Sequence, residues 1–177
     1  MRLKRFVGLA LTIATIATAS GCASGFSAHT NSQKPSGNGR FASADALEIR
    51  GATIVADPKD PSKGMLLVTI YNSGESDEYF TDINNPPAES DPIKDKMYGD
   101  IDRDVQWPTH SKILLEAGQR TPIGIGSAAK VQLSSTNRAL IPGKYVAINL
   151  NFKTSVHADM KLLVNANTGI YAGVKIS

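Results

Sequence analysis

The stretch KYVAINLNFK at residues 144–153 decides the fold class. Apolar side chains recur there at every second position from Val146 to Phe152, and polar or small side chains fill the positions between them. Because successive side chains of a β-strand point to opposite faces, this period of two predicts a strand with one buried face and one wet face.

Shorter runs with the same period occur along much of the chain, separated by turn residues such as those of Pro142-Gly143. No window of a dozen residues carries a convincing helical stripe. Seven or eight short strands separated by turns predict an all-β antiparallel sandwich or a small barrel, and Gly124-Ile125-Gly126 indicates a hairpin bend within it. The other predicted strands span residues 47–55, 65–71, 78–83, 111–115, 130–134, 156–164 and 170–176.

Residues 1–21 have the order of a secretory signal peptide. Three basic residues precede an apolar run at residues 6–19, and the small residues Ser20 and Gly21 lead to Cys22. The segment Ala-Ser-Gly-Cys resembles a bacterial lipobox, in which the cysteine thiolate takes up a diacylglyceryl group. Cys22 is the only cysteine, so acylation would also consume a thiol that has no disulfide partner. We therefore predict lipidation at Cys22, with an ordinary secretory signal and an incidental cysteine as the alternative.

Removal of the signal peptide changes the charge balance of the chain. Three of the 19 basic residues lie in residues 1–21 and none of the 16 acidic residues does, so the rest of the chain is near neutral. A neutral domain has no basic surface of the kind that binds nucleic acid, and we exclude that class of partner.

The segment at residues 22–44 is rich in Ser, Gly, Asn and Ala and shows no periodicity, which predicts a flexible tether between Cys22 and a domain at residues 45–177. About 20 flexible residues would reach roughly 25 Å, enough to hold the domain off a bilayer. His29 lies in this tether and is a solvated linker residue or, alternatively, a metal ligand on a flexible arm.

Three stretches of the domain carry a resemblance to a known family: GMLLVTIYNSGESDEYFTDI at residues 64–83, ILLEAG at 113–118 and VQLSSTNRALIPGKYVAINLNF at 131–152. They resemble the periplasmic copper chaperones called PCuAC. The stretch SGCASGFSAHTNSQKPSGNG at residues 20–39 also resembles the LpqE-type lipoproteins, which are membrane-anchored relatives of that family. Residues 84–108 match poorly. The resemblance implies a cupredoxin-like β-sandwich on the cell surface.

The resemblance also implies a Cu(I) site built from His and Met, the imidazole and thioether ligands that suit this ion. The His-x-Met pair of the family falls on Lys130 and Gln132, and the preceding Met falls near Gln106 or Trp107. A protonated lysine offers no lone pair, and an amide oxygen is a weak, hard donor. We therefore predict that the copper ligands of the family are not retained at Lys130 and Gln132.

Other His and Met residues could in principle rebuild a metal site. His157 and Met160 are an odd number of residues apart on a predicted strand, so they point to opposite faces, with Met160 in the core and His157 in solvent. His110 lies in a loop near the expected site, and Met97 is not far from it in sequence. Without a third ligand, Met97, His110 and His29 remain only alternative metal ligands.

Calcium and catalytic sites find less support. Asp100, Asp102 and Asp104 match the alternating acidic residues that begin a calcium loop, but Val105 and Ser111 stand where that loop needs Gly and Glu. No G-x-S-x-G stretch marks a nucleophile. Trp107 is predicted to be a core or rim aromatic, because no basic patch accompanies it.

The sequence thus predicts a non-enzymatic lipoprotein on the extracytoplasmic face of the cell membrane. Its partners are the membrane, through the lipid anchor, and an unidentified protein, and it needs no cofactor. The alternative is a copper-handling chaperone whose His and Met ligands have moved.

Overall fold

The computed structural model describes residues 39–85, 105–109, 111–136 and 139–176. These residues form ten strands and one 3₁₀ turn, Gly169–Tyr171, and include no helix long and apolar enough to span a membrane. The strands are β1 (Arg40–Ala44), β2 (Leu47–Ala56), β3 (Lys63–Asn72), β4 (Glu78–Asn84), β5 (Val105–Gln106), β6 (Ile113–Leu115), β7 (Arg120–Ile123), β8 (Val131–Ser135), β9 (Tyr145–Phe152) and β10 (His157–Asn165).

The strands form one curled sheet in the order β5-β8-β3-β2-β10-β9-β4-β6, with β1 on β2 and β7 on β3. We call the half that contains β5, β8, β7, β3, β2 and β1 the first layer, and the half that contains β10, β9, β4 and β6 the second layer. Their inward side chains share one core, in which Ile54 and Leu66 of the first layer belong to the same cluster as Leu150 and Leu162 of the second. This confirms the predicted all-β, cupredoxin-like sandwich.

Aromatic side chains fill the part of the core between β4 and β5. The rings of Phe80 and Trp107 stack with centroids 5.2 Å apart, and the tilted ring of Phe152 has its centroid 5.7 Å from that of Phe80. Trp107 is only 1% exposed, which confirms that it is a core aromatic. Stacked and tilted rings of this kind add to the free energy gained from burial alone.

The two layers are joined by the one parallel pair among the described strands, β2 with β10. The buried Thr53 hydroxyl donates to the carbonyl oxygen of Leu163 at 2.9 Å, and the Asn165 amide donates to the Thr53 hydroxyl oxygen at 2.5 Å. This parallel pair departs from a wholly antiparallel sandwich. Side-chain hydrogen bonds hold the junction together where the ladder is only two residue pairs long, Val164 with Ile54 and Asn165 with Val55.

Strands β7 and β8 both pair with the edge of β3 that faces away from β2. The bend at residues 124–126 therefore connects two strands that lie one after the other along the same edge of β3. It does not form a hairpin, which corrects the prediction for this segment. Gly124 has a φ of 111°, and a Cβ atom at this residue would lie 2.3 Å from Cδ2 of Leu67. The bend requires glycine because both its backbone conformation and its approach to β3 exclude a side chain.

Two further sequence predictions are wrong. Residues 40–44, predicted as the end of the tether, form β1, because they pair with β2 and Ala42 and Ala44 pack on the core. The Arg40 guanidinium also lies 5.4 Å from the ring centroid of Tyr145. Residues 170–176, predicted as a strand, form the 3₁₀ turn and a segment across the outer side of the first layer. There Val174 packs with Val55 and Met65, because these apolar side chains of the sheet need cover from solvent.

Candidate functional site

The outward side chains of β5, β8 and β3 form two rows at one edge of the first layer. Strand register places Gln106 opposite Ser134 and Ser134 opposite Lys63 in the first row. In the second row, Gln132 lies opposite Met65. The residues between them on β8, Val131 and Leu133, point inward and are fully buried. The strand alternation therefore directs polar side chains outward along this edge.

A cavity of about 100 Å³ lies among these rows, and we call it the edge pocket. Its polar lining includes an ammonium, an amide and two hydroxyl groups, and its apolar lining includes a proline ring and an isoleucine side chain. The residues that contribute them are Lys63, Gln132, Ser134, Thr109, Pro108 and Ile176. No carboxylate, imidazole or thiol is among the described residues that line it.

An ion pair fixes one side of the edge pocket. Nζ of Lys63 lies 3.3 Å from Oδ2 of Asp60, and Oδ1 of Asp60 accepts hydrogen bonds from the Ser62 hydroxyl at 2.6 Å and the Ser62 amide at 3.1 Å. The Ser62 hydrogen bonds lower the pKa of Asp60 and outweigh the opposing effect of burial, and the contact with Lys63 lowers the pKa a little further. Asp60 therefore stays ionised at neutral pH.

Met65 lies beside the edge pocket but belongs to a different environment. Its side chain is 2% exposed and packs with Val55 and Val174, with Tyr171 and Ile176 against the same cluster. The Asn167 amide donates to the Val174 carbonyl oxygen at 2.8 Å and ties down the covering segment. The Met65 thioether is thus a buried apolar group beneath the C-terminal segment.

A second, larger groove of about 360 Å³ lies among the loops next to β4 and is acidic. Asp45, Glu75 and Asp77 line it together with Glu78, which is buried. Burial opposes ionisation of Glu78, but hydrogen bonds from the Thr154 hydroxyl and from nearby backbone amides outweigh burial and lower its pKa. Glu78 is therefore a satisfied structural carboxylate at the base of the groove.

The arrangement of the strands is similar to that in solved structures of PCuAC domains. The chain is similar to the copper-bound PCuAC domain from PmoF2, with a TM-score of 0.53 and 13% identity over 72% of this chain and 98% of that one. The apo PCuAC domain from PmoF1 matches with a TM-score of 0.53 and 14% identity over 72% of this chain and 99% of that one. The domain has a PCuAC-like fold. No protein-family model and no curated protein matches the chain.

The sequence predictions for the PCuAC ligand positions can now be placed on this fold. Gln132 is half-buried in the edge pocket, and Lys130, two residues earlier on the same side, is exposed. Of the two candidates for the third position, Gln106 is exposed and points outward beside Ser134, whereas Trp107 points into the core. The three outward side chains are therefore two amides and an ammonium.

These residues do not fit Cu(I). None of the three carries the thioether or imidazole that stabilises this ion, and a positive charge at Lys130 would repel it. Among the described residues, no three His, Cys, Asp or Glu side chains cluster closely enough to hold a metal. The positions that the sequence resemblance assigned to the copper ligands thus carry no soft ligand on this PCuAC-like fold.

The other predicted site residues are separated or lie elsewhere. His157 is exposed and Met160 is buried on the opposite face of β10, which confirms that they cannot share a metal ion on that strand. The predictions for Cys22, His29, Met97, His110 and the acidic run at 100–104 lie outside the described residues. Thr109, which lines the edge pocket, directly precedes His110 in the sequence.

The sequence reasoning missed Lys63, Ser134 and Thr109 as members of the site. Lys63 and Ser134 come together only through the register of β3 with β8, and Thr109 comes from a loop after the two-residue strand β5. A prediction of which strands pair, and in which register, would have found the first two. The loop residue carries no comparable signal.

Proposed function

We propose that the chain is an extracytoplasmic lipoprotein, anchored in the cell membrane through Cys22, whose PCuAC-like domain is a non-catalytic binding or assembly module. The proposal places it with the LpqE-type relatives of the copper chaperones. The observation that supports it best is that Lys130 and Gln132 stand where the resemblance to the copper chaperones implies soft ligands, on a fold that is otherwise similar. Such an exchange keeps the scaffold and changes what the scaffold binds.

A binding role also fits the chemistry of the edge pocket. General acid-base and nucleophilic catalysis need a group that can take up a proton or attack near neutral pH, such as an imidazole, a carboxylate or an activated thiol. The described lining of the edge pocket instead contains an ammonium, one amide and two hydroxyls. These groups hold a ligand through hydrogen bonds without changing it.

The lipid anchor can be tested by fractionation of cells that express the Cys22→Ala variant. Acyl chains contribute about 0.8 kcal/mol per buried CH₂, and two or more chains give stable attachment to a membrane. We expect wild type in the membrane fraction and the variant either in the soluble extracytoplasmic fraction or retained with an uncleaved signal. An unchanged distribution of processed Cys22→Ala protein would contradict the anchor.

A copper-handling role with relocated ligands is the second candidate. Its support is the position of Thr109 in the edge pocket, because the next residue in the chain is His110, and Met97 and His29 are further alternative ligands. Titration of the purified protein with Cu(I) in competition with a chelator separates the two candidates. The binding-module proposal predicts no sub-micromolar site, whereas tight binding that is lost in His110→Ala would establish the copper role.

A further inference from the structure

We infer that the outer side of the first layer docks on the membrane surface and contacts anionic lipid headgroups. The inference rests on the proposed lipid anchor at Cys22 and adds to it an orientation of the domain. Three features support it: the charges of the two layers, the exposed apolar side chains and the place where the chain enters the domain.

The two layers carry opposite charges. The described strands of the first layer contain four Lys or Arg residues and one carboxylate, whereas those of the second layer contain one Lys and three carboxylates. These residues are Arg40, Arg50, Lys63, Arg120 and Glu48 in the first layer, and Lys161, Glu78, Asp82 and Asp159 in the second. Asp60 pairs with Lys63, but the C-terminal segment adds the exposed Lys175 and no acidic side chain. Basic residues near an anionic membrane are attracted to it, so the charge distribution turns the first layer toward such a surface.

Two arginines flank Tyr71 on this outer side. The Cζ atoms of Arg120 and Arg50 lie 5.8 Å and 6.0 Å from the centroid of the Tyr71 ring, and strand register places Arg120 directly opposite Tyr71. Arg50 also pairs with Glu48, whereas no carboxylate of the described residues pairs with Arg120, which is exposed. The Arg120 guanidinium is therefore available to a lipid phosphate, which it can bind through two parallel hydrogen bonds.

Exposed apolar side chains lie on the same side. Ile170 is 83% exposed and belongs to the C-terminal segment, and Ile125 is 55% exposed in the bend that passes over Leu67. Phe41 on β1 is 43% exposed and points outward by the strand alternation. The other two large apolar side chains that are exposed in the described part of the chain are on β6 and in the turn before β9. Apolar groups beside basic ones are typical of surfaces that enter the interfacial region of a bilayer.

The chain enters the domain on the first layer, because β1 is the first described strand and pairs with β2. Residues 23–39 separate Cys22 from Arg40, and the flexible tether that their composition predicts would span roughly 25 Å. An anchor within this distance keeps the domain at a high effective concentration near the bilayer. Contacts too weak to bind a free domain are therefore sufficient to orient an anchored one.

The test uses the full acylated protein in vesicles of mixed phosphatidylglycerol and phosphatidylcholine. Because Cys22 is the only cysteine and acylation consumes it, one new cysteine can carry an environment-sensitive fluorophore. Ile170→Cys places the label on the outer side of the first layer, and His157→Cys places it at an exposed residue on the outer side of the second. We expect a quencher attached to the lipid chains to act at least about twofold more strongly on the first label than on the second.

Charge variants of the labelled Ile170→Cys protein identify the interaction. Arg120→Gln should lower the ratio of docked to undocked protein about fivefold, the contribution of one basic residue at an anionic surface. Lys112→Gln, at an exposed residue beside β6 of the second layer, should leave the ratio unchanged. Vesicles of phosphatidylcholine alone should remove the difference between the two labels.

The outcomes separate the docking from the anchor. Equal quenching of the two labels in anionic vesicles that retain the protein would show that the docking is wrong and leave the anchor intact. Loss of the protein from the vesicles would contradict the anchor and the docking together. Equally strong quenching of the Ile170→Cys label in phosphatidylcholine alone would contradict the role of anionic headgroups. A label shielded in native membranes but not in protein-free vesicles would identify a protein as the occupant and overturn the inference.

Discussion

The outer sides of the two layers differ in how their side chains are accommodated next to solvent. The first layer carries Val55 and Met65 on its outer side and buries them beneath the C-terminal segment around Val174. The second layer carries polar side chains there, and the Asn149 amide donates to Asp159 at 2.6 Å across β9 and β10. The outer side of the first layer is therefore apolar and covered by another segment of the chain, whereas that of the second layer is polar and hydrogen-bonded.

The comparison also shows where specificity lies in this fold. The inward residues of both layers are the aliphatic and aromatic groups that any sandwich of this kind needs. The edge pocket and the covered Met65 cluster instead depend on outward residues and on the path of the C-terminal segment. The features that distinguish one described region of the domain from another therefore lie on the outside of the first layer.

The largest expected effect tests the cover of the first layer. Val174→Asp would place a carboxylate among Val55, Met65 and Tyr171, so we expect a loss of about 3 kcal/mol in the free energy of unfolding, or release of the segment. Urea unfolding measures the stability, and limited proteolysis detects a released segment. The matched control is Ile170→Asp, at a side chain that is 83% exposed, and it should behave as wild type. Equal effects of the two changes would contradict the packing described for the segment.

A smaller effect distinguishes the buried Glu78 from the partly exposed Asp60, two carboxylates whose pKa values are both lowered. A lowered folded-state pKa stabilises the protein above the unfolded-state pKa, and this stabilisation is lost as the pH falls through the folded-state pKa. Glu78→Gln should cost about 2 kcal/mol at pH 7, because it removes the charge that the Thr154 hydroxyl and backbone amides bind.

Urea unfolding across a pH series checks this prediction. The difference in stability between wild type and Glu78→Gln should shrink as the pH falls below about 4.3, the ordinary value for glutamate. Asp60→Asn should change stability much less at every pH, because solvent screens an exposed carboxylate. A pH-independent cost of Glu78→Gln would show that the variant acts through packing.

The smallest expected effect concerns the hydrogen bond between Asn149 and Asp159 on the outer side of the second layer. Asp159→Ala removes the acceptor of the Asn149 amide on an exposed surface, so we expect a loss of about 0.5 to 1 kcal/mol in the free energy of unfolding. Thermal unfolding would show a correspondingly small decrease in Tm. A loss as large as that of Val174→Asp would contradict the contrast between the two outer sides.

The sequence predicted the long strands well because they alternate over many residues, as in β9 and in β10, where Met160 is buried and His157 is not. It missed β5, which is only two residues long, and β7, which contains Pro122 and lies on one edge of β3. Short edge strands have too few residues to show a period, and their existence depends on the neighbour that they pair with.

The strand prediction for the C-terminal segment, residues 170–176, failed for a different reason. Tyr171, Val174 and Ile176 are apolar because they cover Met65, and they do so from a turn and an irregular segment. Their composition resembles that of a strand, but what they bury against lies more than a hundred residues earlier in the chain. The edge pocket shows the same limit. The resemblance singled out Gln132, but that Gln132 and Lys63 line one pocket follows only from the register of β3 with β8.

The junction of β2 with β10 has a consequence for the order of folding. Thr53 finds its partners at Leu163 and Asn165, which lie 110 and 112 residues further along the chain. Contacts of such long sequence separation slow the folding of a domain, because a large loop must close before they form. The junction can close only after the chain has been synthesised beyond Asn165, so β2 must wait, incompletely paired, for β10 to arrive.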